Sequence, residues 1–596
     1  MKTWRLIGGC LVSALALTVA AHAVEQTAPS PEDRLAELLD PAQMARTACK
    51  GPRGANRSAF KPVQVASTTL PADTLAEPLP PLWDNLGDFT FPITTANAQA
   101  QAYFDQGIKL TYGFNHAEAA RAFRAGQRLD PGCAMCYWGE AMVLGPNINA
   151  PMMPEAVEPA FAAIAKAQAL AKNVSAKEQA LIAAMATRYS IDPAADRSKL
   201  DWAYSEAMAE VAAQYPDDVG VQTLYAEAIM DTQPWDYWEA DMRTPKGRAQ
   251  TVIDTLERVL DAEPDYPGAI HLYIHIVEAS TTPTRAEPYA DRLAAQNLGA
   301  GHLVHMPAHI YLRVGRYMDS LKANIAAAEA DEAYFAQAEP SGIYQGGYYP
   351  HNVHFVLVSA QLAGAKDEVM RSAEKLAGVV SDEMAAAVGW VQSIKQAPYF
   401  AHAQFADPAT ILALPDPGDR FGYVKASWHY ARAIGLINQG DEDAALAEKE
   451  AIAAIADAND FALLTAFGVP GHAVLELAML VIDGRMAQAR GDYDHAVETF
   501  EAAVAIQDQL RYTEPPHWYY PVRQSLGAAL VQAGRPQEAE KVLTKSLINY
   551  PNNGWALYAL MEARKAAGDE AGAKATEKLL AKAWAGERAE LDLGRL

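Results

Sequence analysis

From about Ala96 onward, apolar residues recur at intervals of three and four along most of the chain, with Gly and Pro mostly between the runs. That period belongs to helices that bury one face. Alternating runs of strand type are missing, so the pattern predicts an all-α protein. The helices also recur in pairs. Gly107, Leu110, Ala119, Phe123 and Pro131 mark one unit; Gly484, Gly491, Tyr493, Ala496, Phe500 and Ala503 mark a second; Leu526, Gly527, Gly534, Ala539, Leu543 and Pro551 mark a third. A small residue on the first helix lets the second come close, Phe or Leu fills the gap, and Pro ends the second helix. One such hairpin cannot bury its apolar face alone, so stacking of hairpins must supply the core.

This spacing, of about 34 residues per unit, resembles the tetratricopeptide repeat (TPR) family. The chain is similar to exported bacterial TPR proteins that carry the CAMCYWGEA, HMPAHIY and EPPHWYYPVR stretches present here, a resemblance that brings a fold but no activity. It implies a TPR-like helical-hairpin solenoid, a superhelix, over most of residues 96–585. Weaker units begin near Pro131, Val219, Pro267, Gly301, Pro350 and Ala426. The expected organisation is a leader over 1–23, a Pro/Ala-rich arm over 24–95, repeats with a CxxC over 96–260, His-rich repeats over 261–385, a linker over 386–425 and C-terminal repeats over 426–596. The linker is expected because Asp407-Pro408 and Pro415-Asp416-Pro417-Gly418 punctuate it.

The leader combines a basic start to Arg5, an uncharged apolar run from Leu6 to Ala20 and the small-residue pattern Ala21-His22-Ala23. It reads as a secretory signal cut after Ala23, which predicts an exported, most simply periplasmic, protein. The run is shorter than the roughly 20 residues of a membrane span, and no later segment is apolar enough for one.

Charge narrows the partners. With 49 basic and 73 acidic residues the formal net charge is −24, which argues against nucleic acid, whose binding depends on neutralising phosphates. Four cysteines are too few for a disulfide-built scaffold. Cys49, Cys133 and Cys136 follow the leader. For Cys133 and Cys136 three readings stand: a disulfide, free thiols, or ligands of a metal.

The histidines carry the candidate chemistry. His271, His275, His302, His305, His309, His351 and His354 crowd one part of the chain. At about 100° per residue, His271 and His275 share a helical face, as do His302, His305 and His309, and His351 and His354. In a unit starting at Gly301, His302, His305 and His309 are the second, fifth and ninth residues. His271 and His275 are the fifth and ninth of the preceding unit, and His351 and His354 the second and fifth of the next. In the TPR family these places line the concave groove, so the resemblance implies that all seven imidazoles face one channel. Cys133, Cys136 and Glu140 fall on the same places, Glu227 is a ninth residue, and Glu278 lies one turn after His275. Pro307 interrupts the central helix: either it kinks a helix that contains His302, or the helix starts there and His302 lies in a loop.

Imidazoles at i,i+3 or i,i+4 can share an ion, and a nearly pure imidazole set suits Cu or Zn better than Fe, whose di-iron sites are rich in Glu. The CxxC is not followed by His, which excludes covalent c-type haem. The expected function is therefore a groove that binds a transition metal or metal cofactor through these histidines. If the metal acts as an enzyme's centre, Glu278 and Glu227 are the proton acceptors to consider. Two alternatives stand beside it: a protein-interaction scaffold with a peptide in the groove, and a periplasmic metal buffer or chaperone. The aromatic loop Glu514-Pro515-Pro516-His517-Trp518-Tyr519-Tyr520-Pro521 is expected to wall one end of the groove or to pack.

Overall fold

Asn97 opens the first long helix, Ala98–Tyr112, by accepting from the amides of Gln99 and Ala100. After a tight turn at Phe114 the chain returns as His116–Leu129. The ring of Phe123 fills the space the sequence leaves for it. A Cβ on Gly107, or on Gly139 of the next hairpin, would lie 2.4 Å from that ring. The same lock closes two later hairpins, where a Cβ would lie 2.6 Å from Phe500 at Gly484 and 2.5 Å from Leu543 at Gly527. Helix pairs of this kind follow one another along the chain, and no strand forms among the described residues, which hold only isolated bridges. The fold is an all-α solenoid of TPR-like hairpins.

This computed structural model describes residues 79–192, 194–338 and 342–596; the leader, Cys49 and most of the arm lie outside them. Three expected units open where the sequence places them, at Val219–Met230, Pro267–Val277 and Gly301–His305. The end of the arm is packed. Trp83, Leu86 and Phe91 are buried, and the amides of Trp83 and Phe91 donate to Gln106 and Asp105 of the first helix, both at 2.9 Å. The linker expected over 386–425 is corrected. Ile394, Ala397 and Phe400 of a helix, Val391–Phe405, are buried in the hydrophobic core, so this stretch is part of the solenoid and only its Pro-rich end is loop.

The apolar side chains form two large bodies, one built from residues 83–348 and the other from 317–596. Each closes on itself. Tyr112 reaches Tyr266 across 154 positions, hydroxyl to hydroxyl at 3.0 Å, and Trp555 donates from Nε1 to the Gln361 carbonyl at 3.3 Å. Between the bodies, Gly315 takes a left-handed turn (φ 77°) where a Cβ would lie 2.3 Å from the Pro551 carbonyl oxygen. Among the described residues no helix is long and apolar enough to cross a membrane.

Candidate metal centre

The helix Pro267–Val277 is buried over its whole length, and His271 and His275 project from it one turn apart. His302 and His305 come from Gly301–His305 and His309 from Pro307–Arg313. The chain stays helical through Met306 between them (φ −50°, ψ −40°), so Pro307 kinks a helix and His302 is not in a loop. His351 and His354 come from Tyr349–Ala363.

Six of the seven imidazoles gather into two triads. His271, His275 and His302 form one, and His305, His309 and His351 the other, with ligand atoms in each within 4.8 Å of one another. A third grouping, His275, Glu278, His309 and Glu514, lies between them. His354 joins none; it is buried, its Nδ1 has no partner, and burial alone pushes its pKa down to about 3. The Nε2 atoms of His271 and His302 face each other at 3.2 Å, and those of His305 and His309 at 2.6 Å. His275 Nε2 is buried without a partner.

The opposite nitrogens explain this orientation. His271 Nδ1 donates to the Tyr112 carbonyl at 2.6 Å. His275 Nδ1 donates to one oxygen of Glu278 at 2.8 Å, and His309 Nδ1 to the other at 2.7 Å. His305 Nδ1 meets Asn324 Oδ1 at 2.5 Å, and that amide is oriented by its own donation to the Ser320 carbonyl at 2.7 Å. Carbonyl and carboxylate oxygens only accept, so the Nδ1 atoms of His271, His275, His305 and His309 carry protons, and the neutral rings among them leave Nε2 as a bare lone pair; His302 Nδ1 is buried without a partner. Each close pair can share a proton, from His302 Nε2 to His271 or from a doubly protonated His309 to His305, or the two nitrogens can turn to one metal ion.

Burial holds the imidazoles of His271, His302, His305 and His351 well below their ordinary pKa, and lowers His275 as well. They are neutral at neutral pH. His309 is the exception. Burial works against its charge, but the Glu514 and Glu278 carboxylates outweigh it and raise the pKa to about 10. Glu278 stays ionised despite its burial, because His309 and its hydrogen bonds hold it well below the usual carboxylate range. Glu514 is pushed well above that range by burial and then by Glu278.

Aromatic rings wall both triads. Phe114 stands 4.5 Å from His271 and 5.1 Å from His302, centre to centre. Phe355 stands 4.7, 4.9 and 5.0 Å from His305, His309 and His351. Trp235, partly exposed, meets His275 edge-on at 5.2 Å.

Not every expected residue belongs here. Cys133 and Cys136 are joined as a disulfide and buried in the N-terminal body, which excludes the thiol metal site. Glu140 pairs with Arg124. Glu227 joins neither triad; burial raises its pKa and the Arg188 guanidinium opposes that rise. Glu278 is committed to four partners, His275, His309, the Tyr512 hydroxyl (2.8 Å) and the Glu514 carboxyl, so it orients rings rather than standing free as a base. Sequence reasoning missed Glu514, which contacts His309 directly, and also Tyr512, Asn324, Phe114 and Phe355. The loop of Glu514 was expected to wall one end of the groove or to pack, and its distance along the chain gave no register linking it to the histidines.

No family model and no curated protein matches the chain. Among solved structures, human IFIT1 in a dimer with m7Gppp-AAAA is 12% identical, with 82% of this chain and 91% of that one covered, at a TM-score of 0.30. The Cut9–Hcn1 hetero-tetramer of the APC/C is 14% identical, with 82% and 97% covered, at 0.23. The TPR domain of P58(IPK) is 13% identical, with 61% and 97% covered, at 0.16. These likenesses carry nothing about activity, and the TPR-like architecture stands on the hairpins of this chain itself.

Proposed function

We propose that this chain is an exported transition-metal protein whose ion is held by the clustered imidazole nitrogens of the two triads. The observation that carries the reading is the close facing of Nε2 atoms, His271 with His302 and His305 with His309, with the rings of His271, His305 and His309 each held from behind by an oxygen acceptor. Metal-bound histidines are oriented in this way, with the other ring nitrogen donating to a carbonyl or carboxylate. Six imidazoles and few carboxylates favour copper or zinc over magnesium, calcium or a Glu-rich iron centre. The enclosure of the triads by Phe114 and Phe355 favours a retained ion over one exchanged with a partner, and so a cofactor over a cargo.

Untagged protein, purified from its exported fraction and dialysed, tests the reading by elemental analysis. Retained copper or zinc in stoichiometric amount, lost in the double variant His305→Ala/His309→Ala with the helical signal unchanged, is the expected result. Protein that retains no copper or zinc after loading and desalting would refute it.

A second reading, a scaffold that takes a peptide, is favoured by one observation. A cleft on the C-terminal hairpins, lined by Tyr430, Asn438, Arg485, Gln488 and Trp555, already carries main chain. Arg485 donates to the carbonyls of Gly594 and Arg595 at 3.3 and 2.9 Å. This cleft and the triads share no residue, so both readings can hold of one chain.

A further inference from the structure

The two triads are built to one rule. Each takes the fifth and ninth residues of one hairpin and the second residue of the next. His271 and His275 are completed by His302; His305 and His309 are completed by His351. The second triad is therefore the first moved along the solenoid by one repeat. The two triads share no ligand, although His275 and His309 also belong to the third grouping with Glu278 and Glu514. Three imidazoles are the protein ligand set of a four-coordinate centre with one position open.

The two sets are also close. Ring centres of His275 and His309 are 5.3 Å apart, and those of His302 and His305 5.7 Å. A single carboxylate, Glu278, holds the back of one ring from each triad, one oxygen to His275 and the other to His309. Paired ions that act on one small ligand stand about 3.5–4 Å apart, and rings in direct contact across the two triads make two such ions neighbours.

Charge then selects that ligand. Two dications on the six imidazoles, one of them displacing the His309 proton, meet only Glu278 and Glu514 as nearby carboxylates in the metal groupings. Even with both ionised, net positive charge is left in a buried site, and buried uncompensated charge is costly. An anion is needed, and Phe114 and Phe355 each pack against three rings and narrow the space to a small one.

Building on the metal reading above, we propose that the repeat-related triads hold two ions at once, and that these ions share one small bridging anion of one to three atoms, of the hydroxide or azide class. The pair, not either ion alone, would then be the binding unit for the anion.

The test uses the full chain, loaded with Cu(II) alone, desalted, and titrated with sodium azide. The expected result is two copper ions per chain, one azide per two coppers, and an electron spin signal that integrates to far fewer than two spins once azide is bound. His271→Asn and His351→Asn, each checked for an unchanged melting curve, should each keep one copper, show a full single-spin signal and lose the shared azide response. If one variant fails to fold, the other and the wild-type spin count still decide. One copper per wild-type chain, or two coppers with two independent spins in the presence of azide, would overturn the paired site while leaving the metal reading intact. A wild-type chain that retains no copper would overturn both.

Discussion

Glu278 is the residue through which the two triads are tied together. It is fully buried and uses both oxygens on imidazole N–H groups, while Tyr512 and the Glu514 carboxyl also bond to it. A carboxylate can accept from both rings; a carboxamide offers one acceptor oxygen and one donating NH2, so one ring must lose its partner. Glu278→Gln should therefore weaken metal binding by about 10–100-fold, the range for lost outer partners of metal-bound histidines. Competition against a chelator measures this. An affinity within threefold of the wild type would show that Glu278 does not orient the ligands.

At the scale of single elements, the hairpin is locked by its small residue. Phe123 lies under both Gly107 and Gly139, so one ring serves two neighbouring helices. Gly139→Val would drive two methyl groups into that ring and should lower stability by about 1–3 kcal/mol, as overpacking of a close core does, read from the shift in a denaturant midpoint. A variant as stable as the wild type would mean the ring can move aside and the lock is not rigid. This lock was legible in the sequence, because Gly, Phe and Pro recur at fixed offsets within 34 or so residues. So was the gathering of the histidines, which follows from register along one helix and between adjacent ones. Register does not reach further. Glu514 and Tyr512 arrive from a loop more than 200 positions away, and Phe114 from the first hairpin, because the superhelix closes; closure depends on small rotations summed over many repeats. Register also fails locally. His354 has the spacing of a ligand relative to His351, yet it faces away from both triads, and the groove positions Cys133 and Cys136 are closed off by their own bond.

For the whole molecule, buried neutral histidines make stability depend on pH. In the unfolded chain a histidine takes up its proton near pH 6.5. In the fold His116 does so only near 4, through burial reinforced by Arg188, while burial alone holds His517 near 4 and His354 near 3. Five of the six triad rings are shifted the same way. Between these values the unfolded state binds more protons, so the stability of the metal-free chain should fall as pH drops below about 6.5 and continue falling toward about 4. His309 has the opposite sign. Its folded value, about 10, lies above the unfolded one, so its stabilisation is full below pH 6.5 and is lost as pH rises toward 10. Melting temperatures of metal-free protein should thus be lower at pH 5 than at pH 7. Equal or higher values at pH 5 would contradict the burial of these rings.

X-ray absorption at the edge of the retained metal tests the central claim most directly, because it reads the ligand atoms themselves. The account predicts nitrogen scatterers at about 2.0 Å, with the outer-shell pattern of imidazole rings, about three per ion, and no sulfur. A sulfur shell near 2.3 Å, or a first shell of oxygen without imidazole, would contradict it.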